Sequence, residues 1–265
     1  MKRAITAIVL IAALTGCASE STGDAAPGNT ETSVGTELPT IEGSITVLAA
    51  ASLTDSFTEI ANDLMEQNPT LEITLSFGGS SDLAAQIVSG SPADVFAAAS
   101  PATMTTVTDE GLTASDPVDF VSNTLEIAVP VGNPGNVTGI EDFTNEDLSI
   151  ALCAVEVPCG SAADKLFTSL GLTAAPDTYE QDVKSVLSKV ELDEVDAGLV
   201  YKTDVLAAGD SVEGIEFDEA PDAVNKYPIA ALKGSATPDA AAAFVDYVLS
   251  EKGQAILTAA GFGAP

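Results

Sequence analysis

Histidine is absent from all 265 residues. Without an imidazole, a histidine general base, a Ser-His-Asp triad and the usual zinc sites are excluded. Positive charge is scarce as well: 9 Lys and Arg stand against 40 Asp and Glu, for a formal net charge of −31. A chain this acidic argues against nucleic acid or an anionic membrane surface as a partner. Cysteine occurs three times, at 17, 153 and 159. A cysteine nucleophile at Cys159 has no histidine to activate it, and a close cysteine pair in an exported protein reads as a disulfide. Long apolar runs are missing too. Nothing after the first seventeen residues could cross a membrane, so the body of the chain reads as soluble.

What is present at the start sets the compartment. Lys2 and Arg3 precede an uncharged apolar run, Ala4 to Leu14. It is too short for a comfortable transmembrane helix and reads as a secretion signal. Leu14-Thr15-Gly16-Cys17 resembles a bacterial lipobox, which makes Cys17 the expected lipidated residue after cleavage; a plain signal peptide is the alternative. Residues 18–43 are rich in Ser, Thr, Gly, Glu and Pro. They cannot bury enough apolar surface to order themselves and read as a tether, with a reach of roughly 30 Å.

Beyond the tether, strand and helix patterns alternate. Ile45 to Ala50 is a β-type run, and Phe57, Ile60, Ala61, Leu64 and Met65 share one helical face. Asn68-Pro69 stops that helix. Further strands are expected at Leu71–Phe77, Val95–Ala98, Leu125–Val129, Leu148–Leu152, Ala197–Tyr201 and Pro228–Leu232. Further helices are expected around Leu83–Val88, Ser161–Leu170 and Asp182–Val190, with two more from about Pro238. This order predicts an α/β fold with mostly parallel sheets. Such folds bind ligands where strand ends meet helix beginnings.

Four segments run from a strand or loop through small or hydroxyl residues into a helix start: 49–55 with Ser52, 76–82 with Ser80 and Ser81, 157–161 with Ser161, and 181–184. Helix amino ends offer unpaired N–H groups and partial positive charge, which suits an anion. The plainer reading makes each serine a helix cap. Asp55, Asp82 and Asp164 read as helix-end residues favoured by the dipole.

The strings Ile45-Thr46-Val47-Leu48-Ala49-Ala50-Ala51-Ser52-Leu53-Thr54, Ser76-Phe77-Gly78-Gly79-Ser80-Ser81-Asp82, Ser91-Pro92-Ala93-Asp94, Val157-Pro158-Cys159-Gly160, Ala197-Gly198-Leu199-Val200-Tyr201 and Tyr227-Pro228-Ile229-Ala230 run in order along the chain. Together with Gly261-Phe262-Gly263 they resemble the periplasmic molybdate-binding proteins of ABC importers. The resemblance implies a two-lobed, type II periplasmic-binding-protein fold. One lobe would take 44–122 and 228–265, the other 123–227. It implies a ligand set of the Ser52 and Ser80 hydroxyls, the Cys159 and Val183 backbone N–H groups and the Tyr201 hydroxyl. Cys159 departs from the family pattern, which has alanine there; a backbone donor survives that change. No metal is coordinated directly and no cofactor is implied. The expected partners are molybdate or tungstate and a permease, for a monomer held outside the cell membrane by lipid on Cys17.

Neutral donors suit a fully deprotonated dianion, whereas protonated phosphate needs an acceptor. The acidic surface does not forbid this, because charges beyond about 8 Å are largely screened at physiological salt. Three rivals stay open at this point: a sulfate or thiosulfate binder, a serine or cysteine hydrolase without a base, and an adhesion protein with no small ligand.

Overall fold

The structure, a computed structural model, describes residues 41–265. The expected signal peptide, Cys17 and most of the tether lie outside the described residues. The chain enters through β1 (Gly43–Ala50), α1 (Thr54–Gln67), β2 (Leu71–Gly78), α2 (Ser80–Val88), β3 (Val95–Ala97), α3 (Pro101–Asp109) and β4 (Val118–Asn123). It then crosses at Thr124 into β5 (Leu125–Pro130), β6 (Ile150–Cys153), α4 (Pro158–Leu170), β7 (Thr178–Glu180), α5 (Val183–Glu191), β8 (Ala197–Tyr201), α6 (Lys202–Ala208) and β9 (Val212–Ile215). It returns through β10 (Asn225–Ala231) and ends in α7 (Pro238–Leu249) and α8 (Glu251–Ala259).

Two five-stranded sheets result, ordered β2-β1-β3-β10-β4 and β7-β6-β8-β5-β9. Both are mixed but mostly parallel, as expected: four strands of each sheet run one way, and β10 in the first and β5 in the second run against them. β1 runs parallel to β2 and β3, but β10 lies antiparallel to β3 and β4. Likewise β6 runs parallel to β7 and β8, while β5 lies antiparallel to β8 and β9. The antiparallel strands flank the two crossings, where the chain leaves one sheet and re-enters it from the opposite direction. Periodicity within a strand carries no record of that direction.

β1 explains why its sequence is apolar throughout. Successive side chains point to opposite faces, and both faces are covered. Ile45, Val47 and Ala49 join Phe57, Ile60 and Leu64 of α1 and Phe244 of α7 in one cluster. Leu48 packs with Leu83 and Ile87 of α2 and with Met104 and Val107 of α3 in another. The second sheet has its own cluster, in which Ile127, Ala151 and Leu199 meet Leu166 of α4 and Val186 and Val190 of α5. Ala51, from the turn after β1, is buried in that second cluster, so the two sheets share apolar contact.

α4 begins at Pro158, three residues before the expected start at Ser161. Proline is favoured in the first turn because its missing N–H is an orphan position anyway; read as a loop signal, it hid the helix start. Asp164 therefore sits past the first turn of α4, which corrects its reading as a helix-end residue, while Asp55 and Asp82 do lie in the first turns of α1 and α2.

Candidate functional site

The beginnings of α2, α4 and α5, the turn after β1 and the end of β8 meet between the sheets. A cavity of about 20 Å³ lies there, walled by Ser52, Ser80, Cys159, Val183 and Tyr201, together with parts of 50–51, 78–79, Ala99, 157–158 and Asp182. All five residues singled out in the sequence are thus brought together, and each is buried. A water needs about 10–15 Å³ on this measure, so the space suits one compact ion and not a sugar or an amino acid. Ser81 is not in the wall; its hydroxyl donates to the Glu156 carbonyl across the junction.

None of these serines caps a helix. The residues before the Ala51–Leu53 turn, α2 and α4 are Ala50, Gly79 and Val157, and no side-chain cap bond is made at any of them. The hydroxyls are committed elsewhere. Ser80 Oγ accepts from the Ala99 N–H at 3.0 Å. Tyr201 Oη accepts from Asn225 Nδ2 at 2.6 Å. Ser52 Oγ shares a hydrogen bond with Tyr227 Oη at 2.9 Å, and Asn123 Nδ2 approaches that tyrosine oxygen at 3.5 Å. A hydroxyl whose oxygen already accepts has its proton left to give. Ser80 and Tyr201 therefore each keep a proton to give. Burial pushes both Tyr201 and Tyr227 above the ordinary phenol range, which keeps both protonated.

No lysine stands in the wall. Asp182 does, but its carboxylate caps α5 by accepting the Ser185 N–H at 2.9 Å and the Ser185 hydroxyl at 3.0 Å. Among the described residues no group of three or more Cys, Asp or Glu is placed to hold a metal ion. Cys153 and Cys159 are bonded to each other, with Cα atoms 5.7 Å apart, so the loop that presents the Cys159 N–H is short and closed.

Sequence reasoning missed the layer behind the donors: Asn123, Asn225, Tyr227, Lys184 and Asp204. Tyr227 lay inside a quoted string but carried no role. Asp204 is 1% exposed; the Tyr201 N–H donates to its Oδ2 at 3.1 Å, and Oδ1 has no hydrogen-bond partner. Lys184 Nζ lies 3.6 Å from Oδ1 and 3.2 Å from Asp55 on α1, joining the two halves. Burial pushes the Asp204 carboxyl up to about 6, and Lys184 offsets this only in part. At Asp204 the folded chain thus binds more protons than the unfolded chain between about pH 4 and 6, so this group's contribution to stability falls as pH rises. The contribution is full below the unfolded value and lost above about 6, and amounts to about 3 kcal/mol. Asp204→Asn keeps an acceptor for Tyr201 and removes the titration. Unfolding free energies of the two proteins should converge or cross by that amount between pH 4 and 7, and a constant difference would refute the assignment.

Two α/β sheets with flanking helices and a small cavity between them, lined by residues from both halves, have the architecture of the two-lobed, type II periplasmic-binding-protein class. The comparisons agree. The sequence profile of the bacterial extracellular solute-binding proteins matches residues 45–263, and the chain belongs to that family. The molybdate-binding protein ModA of Mycobacterium tuberculosis strain H37Rv is 37% identical over 98% of this chain and 97% of its own. A putative ABC transporter substrate-binding lipoprotein of Bacillus subtilis, YvgL, is 30% identical over 83% of this chain and 86% of its own. The substrate binding domain of a putative molybdenum ABC transporter from Clostridium difficile superposes with a TM-score of 0.63 at 31% identity, covering 84% of this chain and 99% of that one.

Proposed function

We propose that this chain captures molybdate, with tungstate as a second ligand, in the cavity between the sheets and delivers it to the permease of an ABC importer. The observation that carries the reading is the cavity lining: Ser52, Ser80, Cys159, Val183 and Tyr201 surround a space with no basic side chain, and the Ser80 and Tyr201 oxygens already accept a hydrogen bond, which leaves their protons to give. Such a wall accepts a tetrahedral dianion without protons. A protonated oxyanion such as phosphate brings a donor that finds no open acceptor, at a cost of about 1–3 kcal/mol. The names of the mycobacterial and clostridial relatives support molybdate over other dianions. We further propose that Cys17 carries the lipid, that 18–43 is the tether, and that the protein works as a monomer outside the cell membrane with no cofactor. The lipoprotein name of the Bacillus relative supports the anchor. Among the described residues no helix is long and apolar enough to cross a membrane.

Thermal melts of the protein lacking its signal peptide test this reading against molybdate, tungstate, sulfate and phosphate. A ligand at a hundredfold its dissociation constant adds about 2.7 kcal/mol, which raises the melting temperature of a domain this size by roughly 5–10 °C. Molybdate and tungstate should do so, with sulfate and phosphate near zero at equal concentration. Equal stabilisation by sulfate would overturn the molybdate assignment, and no shift with any of the four would favour an adhesion protein.

A further inference from the structure

Asn225 opens β10, where the chain has just returned to the first sheet, and is 8% exposed. Its side chain reaches two partners from the second half. Nδ2 donates to the Pro158 carbonyl at 3.2 Å and to Tyr201 Oη at 2.6 Å. The orientation of the amide is not arbitrary. A proline carbonyl can only accept, so the group facing it must be the NH₂ and not the oxygen. The same NH₂ then meets Tyr201, which fills an acceptor position on that hydroxyl and leaves its proton for the cavity.

The second bond acts through the peptide plane. Pro158 C=O and Cys159 N–H belong to one planar, trans unit, in which the two groups point in opposite directions. Holding the carbonyl on the Asn225 side therefore aims the Cys159 N–H away from it. One amide thus orients two of the five donors, the hydroxyl at the end of β8 and the N–H in the first turn of α4.

We infer that Asn225 is a positioning residue that makes the site selective for unprotonated oxyanions, by directing the Tyr201 proton and the Cys159 N–H into the cavity. This rests on the oxyanion reading above. Asn225 itself is absent from the cavity wall, so its effect on affinity runs through those two groups. The consequence is specific to donor chemistry. A carboxylate of the same shape reverses it, because Tyr201 then donates to the introduced carboxylate and the Pro158 carbonyl is repelled.

The test compares wild type, Asn225→Ala and Asn225→Asp by calorimetry with molybdate at pH 8 and pH 5.5, with melting of each ligand-free protein alongside. Asn225→Ala should bind about tenfold more weakly at both pH values, the loss of an oriented hydrogen bond. Asn225→Asp should lose more than a hundredfold at pH 8. That deficit, taken relative to wild type at each pH so that Asp204 cancels, should shrink at least tenfold at pH 5.5 as the introduced carboxyl gains a proton. An Asn225→Asp protein that binds like wild type overturns the inference. So does one that loses the same factor as Asn225→Ala at both pH values, since that pattern marks a residue of structural importance only. If wild type binds none of the oxyanions, the functional reading fails with it; if wild type binds and the variants behave otherwise than stated, only the role of Asn225 fails.

Discussion

Gly79→Ala is expected to lower molybdate affinity more than a hundredfold while leaving the ligand-free protein folded. Gly79 has φ −59° and ψ 126°, which any L residue adopts, so the substitution is not strained by its own backbone. The obstacle lies across the junction. A Cβ added at Gly79 would stand 2.3 Å from the Gln181 carbonyl oxygen, which is main chain leading into α5 and cannot rotate aside. Real Cβ contacts are not that short, so the α2 and α5 beginnings must separate. Ser80 follows Gly79 directly and Val183 lies two residues after Gln181, so the separation pulls apart two proposed donors at once. Hydrogen bonds to a charged group contribute about 1.5–3 kcal/mol each, and weakening two of them is worth roughly 3–6 kcal/mol, or more than a hundredfold. Gly79 and Gln181 belong to none of the buried apolar clusters, so the melting temperature without ligand should change little. Calorimetry on the variant decides the point. Affinity within threefold of wild type would show that the walls do not need to approach at Gly79.

Tyr201→Phe should cost ten- to a hundredfold in molybdate affinity. The ring is kept, along with its edge-on packing against Tyr227 at 6.1 Å, and one hydroxyl is deleted. That hydroxyl is fully enclosed, the residue being 1% exposed, so no water replaces it in the closed form. Two losses follow. The anion loses one donor, worth about 1.5–3 kcal/mol, and one hydrogen of the Asn225 amide is left without an acceptor. The second loss also weakens the ligand-free protein, by about 1 kcal/mol, or a few degrees of melting temperature. A tyrosine that serves only the core would give the opposite pattern, lower stability with affinity untouched. Melting and calorimetry on the same two proteins separate the cases, and unchanged affinity would remove Tyr201 from the site.

Much of the arrangement behind both predictions could be read along the chain. The apolar faces of α1 and α5 follow from spacing of three and four, and β1 and β8 from short apolar runs ended by small or polar residues. The positions of Ser52, Ser80, Cys159 and Val183 near helix beginnings were legible because a helix beginning is a local event, set by a few neighbouring residues; their choice as contacts came from the resemblance. The start of α4 at Pro158 was misjudged because proline signals both a loop and a first helical turn. The alternation of strands and helices gave the mostly parallel direction, but which strands run against the rest, β5 and β10, was not legible, since periodicity is the same for parallel and antiparallel strands.

By itself the sequence determined the absence of histidine chemistry, the alternation of strands and helices, and the placing of hydroxyl and N–H groups at helix beginnings. Only the tertiary structure decided what each of those hydroxyls meets. Ser80 takes a bond from Ala99, Tyr201 from Asn225, and Ser52 is paired with Tyr227, which is 175 residues away. A hydroxyl both donates and accepts, so its identity leaves its role open. The role is settled by whichever group fills the oxygen, and here the crossings of the chain between its two sheets bring Asn123, Asn225 and Tyr227 to the site to do so.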